Sequence, residues 1–143
     1  TYSVTEYEKS QLGLPHIFDE PMTEMYYEAA KLSDEYNRTS YDDTEKQDLL
    51  LSQLLKQKGE NVRIMPNFHC EYGHNITIGN NVFINFNGII MDNAEMSIGD
   101  DVRIGPNVGI YTVNHAIDPD ERAKGICICK PVHIGNYCGW KSM

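Results

Sequence analysis

Beyond residue 60 the aliphatic residues of this chain recur every six positions. Ile78, Ile84 and Ile90 are spaced by six, as are Ile98, Ile104 and Ile110, and Ile134 with Trp140 repeats the interval. A second apolar residue sits two places before most of these, at Ile76, Val82, Met96, Val102, Val108, Val132 and Cys138. The stretches IGNN, IGDD, IGPN and IGN begin at Ile78, Ile98, Ile104 and Ile134. A simple alternating sheet has period two and gives no reason for period six. The pattern predicts a β-solenoid. Each six-residue unit supplies one short strand and one turn, the aliphatic points into a narrow interior, and Gly, Asn and Asp tolerate the backbone angles of the turn. Three units close a triangular coil, and stacked coils bury a core that no single coil could bury alone.

The phase breaks twice. Ile90 to Ile98 is a step of eight, which places a two-residue insertion near Ala94-Glu95. Between Ile110 and Ile134 the repeat is lost in NHAIDPDERAKGICICK, and a polar loop is expected over 114–130. A long loop thrown out of a regular solenoid usually carries function.

Residues 1–59 have a different texture and are expected to form a helical cap segment, with the solenoid covering 60–143. In EPMTEMYYEAAKLSDEYN, Pro21 suits a first helical position, and Met22, Met25, Tyr26, Ala29, Ala30 and Leu32 mostly fit one helical face. In the second helical stretch Asp42 and Glu45 have capping-box spacing, Leu50, Leu51, Leu54 and Leu55 form an apolar stripe, Lys56 and Lys58 suit a C-terminal end, and Gly59 is a candidate stop.

The net charge of −9 argues against a nucleic-acid or anionic-membrane partner. No apolar run is long enough to span a bilayer, and the first ten residues lack the features of a secretion signal. The four cysteines, Cys70, Cys127, Cys129 and Cys138, are read as free thiols of a reducing, cytoplasmic compartment. Cys127 and Cys129 face the same way in a strand and are not expected to bond each other.

Residues 15–136 carry a family resemblance. YGHNITIG, the N-F-N at 85–87, MDN at 91–93 and the Y-T-x-N-H that ends at His115 resemble the sugar O-acetyltransferases of the maltose, galactoside and nodulation type, and FDEPM…EYN resembles their helical cap. The resemblance implies a left-handed parallel β-helix of hexapeptide repeats. It implies a homotrimer with active sites between neighbouring subunits, acetyl-CoA as donor, and a sugar hydroxyl of maltose, glucose or galactoside type as acceptor.

Transfer of an acetyl group from a thioester to a hydroxyl needs a base for the hydroxyl proton and donors for the tetrahedral oxyanion. His115 matches the family's catalytic histidine, and an imidazole suits the base role near neutral pH. Asn85 matches an acceptor-site asparagine, whose amide can hold a sugar hydroxyl. Asp92 or Asn93 falls where the family presents an acceptor-binding acid; galactoside-type members carry the acid at the place of Asn93, a departure that bears on acceptor identity. Glu71 stands where relatives have Ser or Asp, and Asp19 matches a cap-region acid. The other histidines, His16, His69, His74 and His133, lack the spacing of the zinc-binding gamma-type carbonic anhydrases, so no metal is expected.

PVHIGNYCGWKSM departs from the family, whose usual reading there is IGNNVWIG. Ser142 aligns with a position whose backbone N–H helps hold the thioester. Further coils in the family carry much of the CoA site. The alternative expectation is therefore a chain that folds and trimerises but lacks most of that site.

Overall fold

The computed structural model describes residues 3–140. Three helices precede the solenoid: α1 (Glu6–Gln11), α2 (Glu20–Asn37) and α3 (Thr44–Leu54). Thr5, Asp19 and Asp43 are their N-caps, each accepting a backbone N–H of the first turn with its side chain. The cap of α3 lies one residue beyond the expected Asp42. Its last turn ends at Leu54, and Gly59 does not stop it.

The solenoid begins with β1 (Gln57–Lys58), so its first strand precedes the expected boundary at 60. It continues through β2 (Val62–Ile64), β3 (Phe68–Cys70), β4 (Ile76–Ile78), β5 (Val82–Ile84), β6 (Gly88–Met91), β7 (Met96–Ile98), β8 (Arg103–Ile104) and β9 (Gly109–Tyr111). An antiparallel hairpin, β10 (Val113–His115) and β11 (Cys127–Cys129), encloses a short helix α4 (Pro119–Ala123). The repeat then resumes in β12 (Val132–Ile134) and β13 (Gly139–Trp140). Three parallel sheets form the faces of the prism, in the orders β1-β4-β7-β12, β2-β5-β8-β13 and β3-β6-β9.

Register stacks like on like. Ile78 lies against Ile98, and Ile98 against Ile134. Ile64, Ile84 and Ile104 stack on the second face, and Cys70, Ile90 and Ile110 on the third. Most of these are nearly inaccessible, Ile76 and Met96 completely so. Each such side chain contributes on the order of 1.5–3 kcal/mol by leaving water. The inward positions run Ile64, Cys70, Ile78, Ile84, Ile90, Ile98: the step of eight occurs at the same corner of successive coils. It is a regular feature of this prism, and the isolated insertion expected near Ala94-Glu95 is half of it. Cys70 had masked the first instance.

The IGNN and IGDD motifs have a steric cause. A Cβ on Gly79 would come 2.4 Å from Asp100 Oδ1, and one on Gly59 would come 2.2 Å from Asn80 Oδ1. Those oxygens occupy the space to accept backbone N–H groups of the rung before: Asn80 N–H to Asp100 at 2.7 Å, and Glu60 N–H to Asn80 at 2.8 Å. The next residues, Asn61, Asn81 and Asp101, have φ near +57° and are linked side chain to side chain.

The helices close the start of the prism. Met22, Ala29, Ser33 and Tyr36 form the buried stripe of α2, so Tyr26, expected on that face, points outward instead. Tyr36 Oη donates to the Ile64 carbonyl. The Asn37 amide donates to the Phe68 carbonyl at 3.0 Å and accepts the Phe68 N–H at 2.9 Å, as a neighbouring strand would. Among the described residues no helix is long and apolar enough to cross a membrane.

Candidate functional site

The longer turns sit at the edge between the third and first faces, and the candidate site grows from them. Asp92 holds this edge together. Its Oδ1 accepts the N–H of Glu71 (3.0 Å) and Tyr72 (2.9 Å), its Oδ2 accepts that of Asn75 (3.1 Å), and its carbonyl accepts the Asn75 amide (2.9 Å). Asp92 is completely buried. Expected at an acceptor site, its carboxylate is here engaged on both oxygens by backbone, because a turn of this length leaves three N–H groups without strand partners. Thr112 serves the next coil, accepting Ala94 N–H and donating to the Met91 carbonyl.

Asn93, next along the turn, is only 6% exposed, and its Oδ1 has no hydrogen-bond partner among the described residues. Its backbone carbonyl accepts the Gln11 amide from α1 at 2.6 Å, and its side chain lies near the carboxyl of half-buried Glu71. Burial raises the Glu71 pKa above its ordinary value, the Asp92 charge adds to this, and the nearby Asn93 amide opposes it. Tyr72 lies beneath, stacked on His74 with ring centroids 5.1 Å apart, and Tyr7 Oη meets His74 Nε2 at 2.7 Å. The half-buried Glu71 carboxyl is the part of this group open to a ligand that presents hydroxyl groups; the unpaired Asn93 oxygen is itself buried.

The excursion over 114–130 is a folded hairpin. Val113 pairs with Cys129, Asn114 with Ile128 and His115 with Cys127. Ala116 N–H reaches the Ile126 carbonyl at 3.0 Å, Asp118 caps α4, and Arg122 donates to the Ile117 carbonyl at 3.2 Å. The hairpin's other edge is taken by the segment after α1, where His16 and Cys127 exchange backbone bonds of 3.0 and 2.8 Å. Exposed His115 is thus carried on three backbone segments, with Nδ1 3.6 Å from Cys127 Sγ. Cys129 is buried two residues along the same strand, with its pKa raised to about 12, chiefly by desolvation, with lesser contributions from Cys127 and Glu71.

Asp19 follows this strap by three residues; its Oδ1 caps α2 by accepting the Met22 N–H at 3.2 Å. Asn85 is elsewhere, in the turn from β5 to β6 at the edge between the second and third faces, with Oδ1 accepting Phe86 N–H at 2.8 Å. One chain thus brings Glu71, Asn93 and His115 to one edge and holds Asn85 at another. Ser142 lies outside the described residues.

Sequence reasoning missed a groove of about 610 Å³ between α2 and the third face, lined by Tyr26, Tyr27, Lys31, Asp34, His69, Glu71 and Met91 among others. Its size is that of a small-molecule site. Outward Tyr26 and Tyr27 at adjacent positions, incompatible with one buried helical stripe, were the available signal. Among the described residues no group of three or more His, Cys, Asp or Glu side chains is arranged to hold a metal ion.

No protein-family profile matches the chain. It is 44% identical to nodulation protein L of Rhizobium meliloti (strain 1021) over 102 residues, which are 71% of this chain and 56% of that protein. Among solved structures, it superposes on a maltose O-acetyltransferase from Clostridium difficile 630 with a TM-score of 0.88 at 34% identity, covering 98% of this chain and 79% of the other. It superposes on a galactoside acetyltransferase in complex with coenzyme A with a TM-score of 0.90 at 30% identity, covering 96% and 69%. The chain spans about half the length of the sequence relatives it matches.

Proposed function

Since the chain belongs to the hexapeptide-repeat sugar acetyltransferases, a family of left-handed parallel β-helices, we propose that it moves an acetyl group from acetyl-CoA to a sugar hydroxyl, with His115 as general base. The observation that carries this reading is the placing of His115: an exposed imidazole on a hairpin whose strand β11 is bonded to β10 on one side and to the segment after α1 on the other, at the same edge of the prism as half-buried Glu71. Rigid placement is what such a reaction needs, because most of the advantage of two bound substrates lies in their mutual orientation.

In this scheme Glu71, with Asn93 beside it, orients the acceptor's hydroxyls. His115 removes a proton from the reacting hydroxyl as its oxygen attacks the thioester carbonyl. The tetrahedral intermediate collapses, and the imidazolium returns the proton to the departing thiolate. The groove beside Tyr26 and Tyr27 extends the acceptor site, since aromatic faces pack against the apolar faces of sugar rings.

Asn85 takes part only if a second chain supplies it, because within one chain it lies on another edge of the prism. Assembly as a closed homotrimer supplies it at every site equally. Relatives of maltose, galactoside and nodulation type support a sugar acceptor, and a structural neighbour with coenzyme A bound supports the donor.

The test is acetyl transfer from acetyl-CoA to maltose, glucose and a galactoside, alongside titration of acetyl-CoA by calorimetry. His115→Ala should lower turnover by about 10²–10⁴-fold with the fold intact, since the side chain is exposed. Full activity in that variant, or no acetyl-CoA binding by the folded protein, refutes the assignment.

A further inference from the structure

We propose that Cys127 fixes the tautomer of His115, holding the proton on Nδ1 so that Nε2 keeps its lone pair for the acceptor hydroxyl. The proposal deepens, and rests on, the reading of His115 as the base. An imidazole has two nitrogens, and only the one without a proton can act as a base; a partner at the other nitrogen decides which that is. In this chain the partner is neither a carboxylate nor a carbonyl. It is the thiol directly across the hairpin, since His115 and Cys127 are paired residues and Sγ lies 3.6 Å from Nδ1.

A thiol carries one proton, so its two contacts constrain each other. Sγ also lies 3.6 Å from the Gly125 carbonyl oxygen. That oxygen only accepts, so the two contacts can both be made only with the S–H directed to it. The sulfur lone pairs then face His115, and the contact is favourable only with a proton on Nδ1. Burial raises the Cys127 pKa, which keeps the thiol proton in place.

The second cysteine of the strand shows the reverse arrangement. His16 Nδ1 lies 3.0 Å from the Leu14 carbonyl, which requires a proton on Nδ1, so in a neutral ring Nε2 accepts. Cys129 Sγ, 3.8 Å from that Nε2, must therefore donate. Cys127 and Cys129 lie on one face of β11. One accepts from the candidate base, and the other donates to the histidine that pins the strap.

The experiment is long-range ¹H–¹⁵N correlation on protein labelled at histidine, at about pH 8, where imidazoles are neutral. Loss of signals in His115→Gln identifies the residue. The wild type should show the pattern of a proton on Nδ1. Cys127→Ala should move His115 toward the other tautomer, and Cys127→Ser, which retains a donor-acceptor atom, should restore it. In acetyl transfer Cys127→Ala should lower kcat several-fold with acceptor KM unchanged, and serine should recover part of the loss.

A wild-type His115 with its proton on Nε2 overturns the proposal, as does a tautomer unchanged in a Cys127→Ala protein whose amide spectrum is otherwise intact. If Cys127→Ala does not fold, the wild-type spectrum alone decides. A wild type that holds the proton on Nδ1 but acetylates nothing refutes the base reading and leaves the tautomer assignment standing.

Discussion

Replacing Asp92 with Asn tests whether this acid is a structural staple or a ligand-binding group. The two side chains are nearly the same size, so the change is one of hydrogen-bond inventory. Asp92 accepts three backbone N–H groups, two on Oδ1 and one on Oδ2. An Asn oxygen can keep the Glu71 and Tyr72 bonds, but its NH₂ then faces the Asn75 N–H, donor against donor. Orphaning one buried N–H costs about 1–3 kcal/mol, and turning two charge-assisted bonds into neutral ones costs roughly 1 kcal/mol each. Relief of the repulsion between Asp92 and Glu71, and of the desolvation of a buried charge, offsets part of this. The net loss should be about 2–4 kcal/mol. With a urea m-value of about 2 kcal/mol/M, the unfolding midpoint should fall by about 1–2 M, compared at one protein concentration because an oligomer's stability depends on it. An unchanged midpoint together with a raised acceptor KM would mean that Asp92 reaches the acceptor, and the staple argument would be wrong.

Glu71→Gln should change the pH dependence of stability. The folded carboxyl has a raised pKa, so just above the ordinary carboxylate range the folded state binds more protons than the unfolded one, and stability falls as pH rises there. Urea midpoints across that range should slope downward in the wild type and less so in the variant; equal slopes contradict the assignment. Ile76→Ala, at a completely buried core position, should cost about 2–5 kcal/mol in the same assay. Asn81→Val, which puts a β-branched residue at φ 57° and breaks the side-chain ladder, should cost at least about 1–2 kcal/mol. Light scattering should give a trimer mass; a monomer that is fully active would exclude the shared-site arrangement.

The solenoid was legible because its cause is local and repeated. An aliphatic every six residues and an Ile-Gly-Asn/Asp turn each report one strand and one corner, and the stack only repeats them. The corner with two extra residues was half legible: Ile90 to Ile98 showed it, while Cys70, a less conspicuous core residue, concealed the earlier one. The start of the coil was misread because Gln57 and Lys58 belong to a strand too short for periodicity, and Gly59 looks like a helix stop. Its actual constraint is the Asn80 side chain in the neighbouring rung, a contact between residues far apart in sequence. Asp92 shows the same limit. An acid in a motif reads as a ligand until its depth and its three N–H partners are seen. The hairpin over 114–130 was read as a loop, because its pairing is completed by His16, which lies far away at the other end of the chain.

Asn37 gives the solenoid a polarity that its repeat lacks. A β-helix rung presents open N–H and C=O groups above and below, and nothing in a hexapeptide says where stacking should begin. With one amide, Asn37 takes both backbone groups of Phe68, and α2 covers the same strand. The open edge of β3 is therefore a terminated edge that a second chain's strand cannot extend. The helical cap thus acts as a chain terminator for β-sheet growth from the strand it covers.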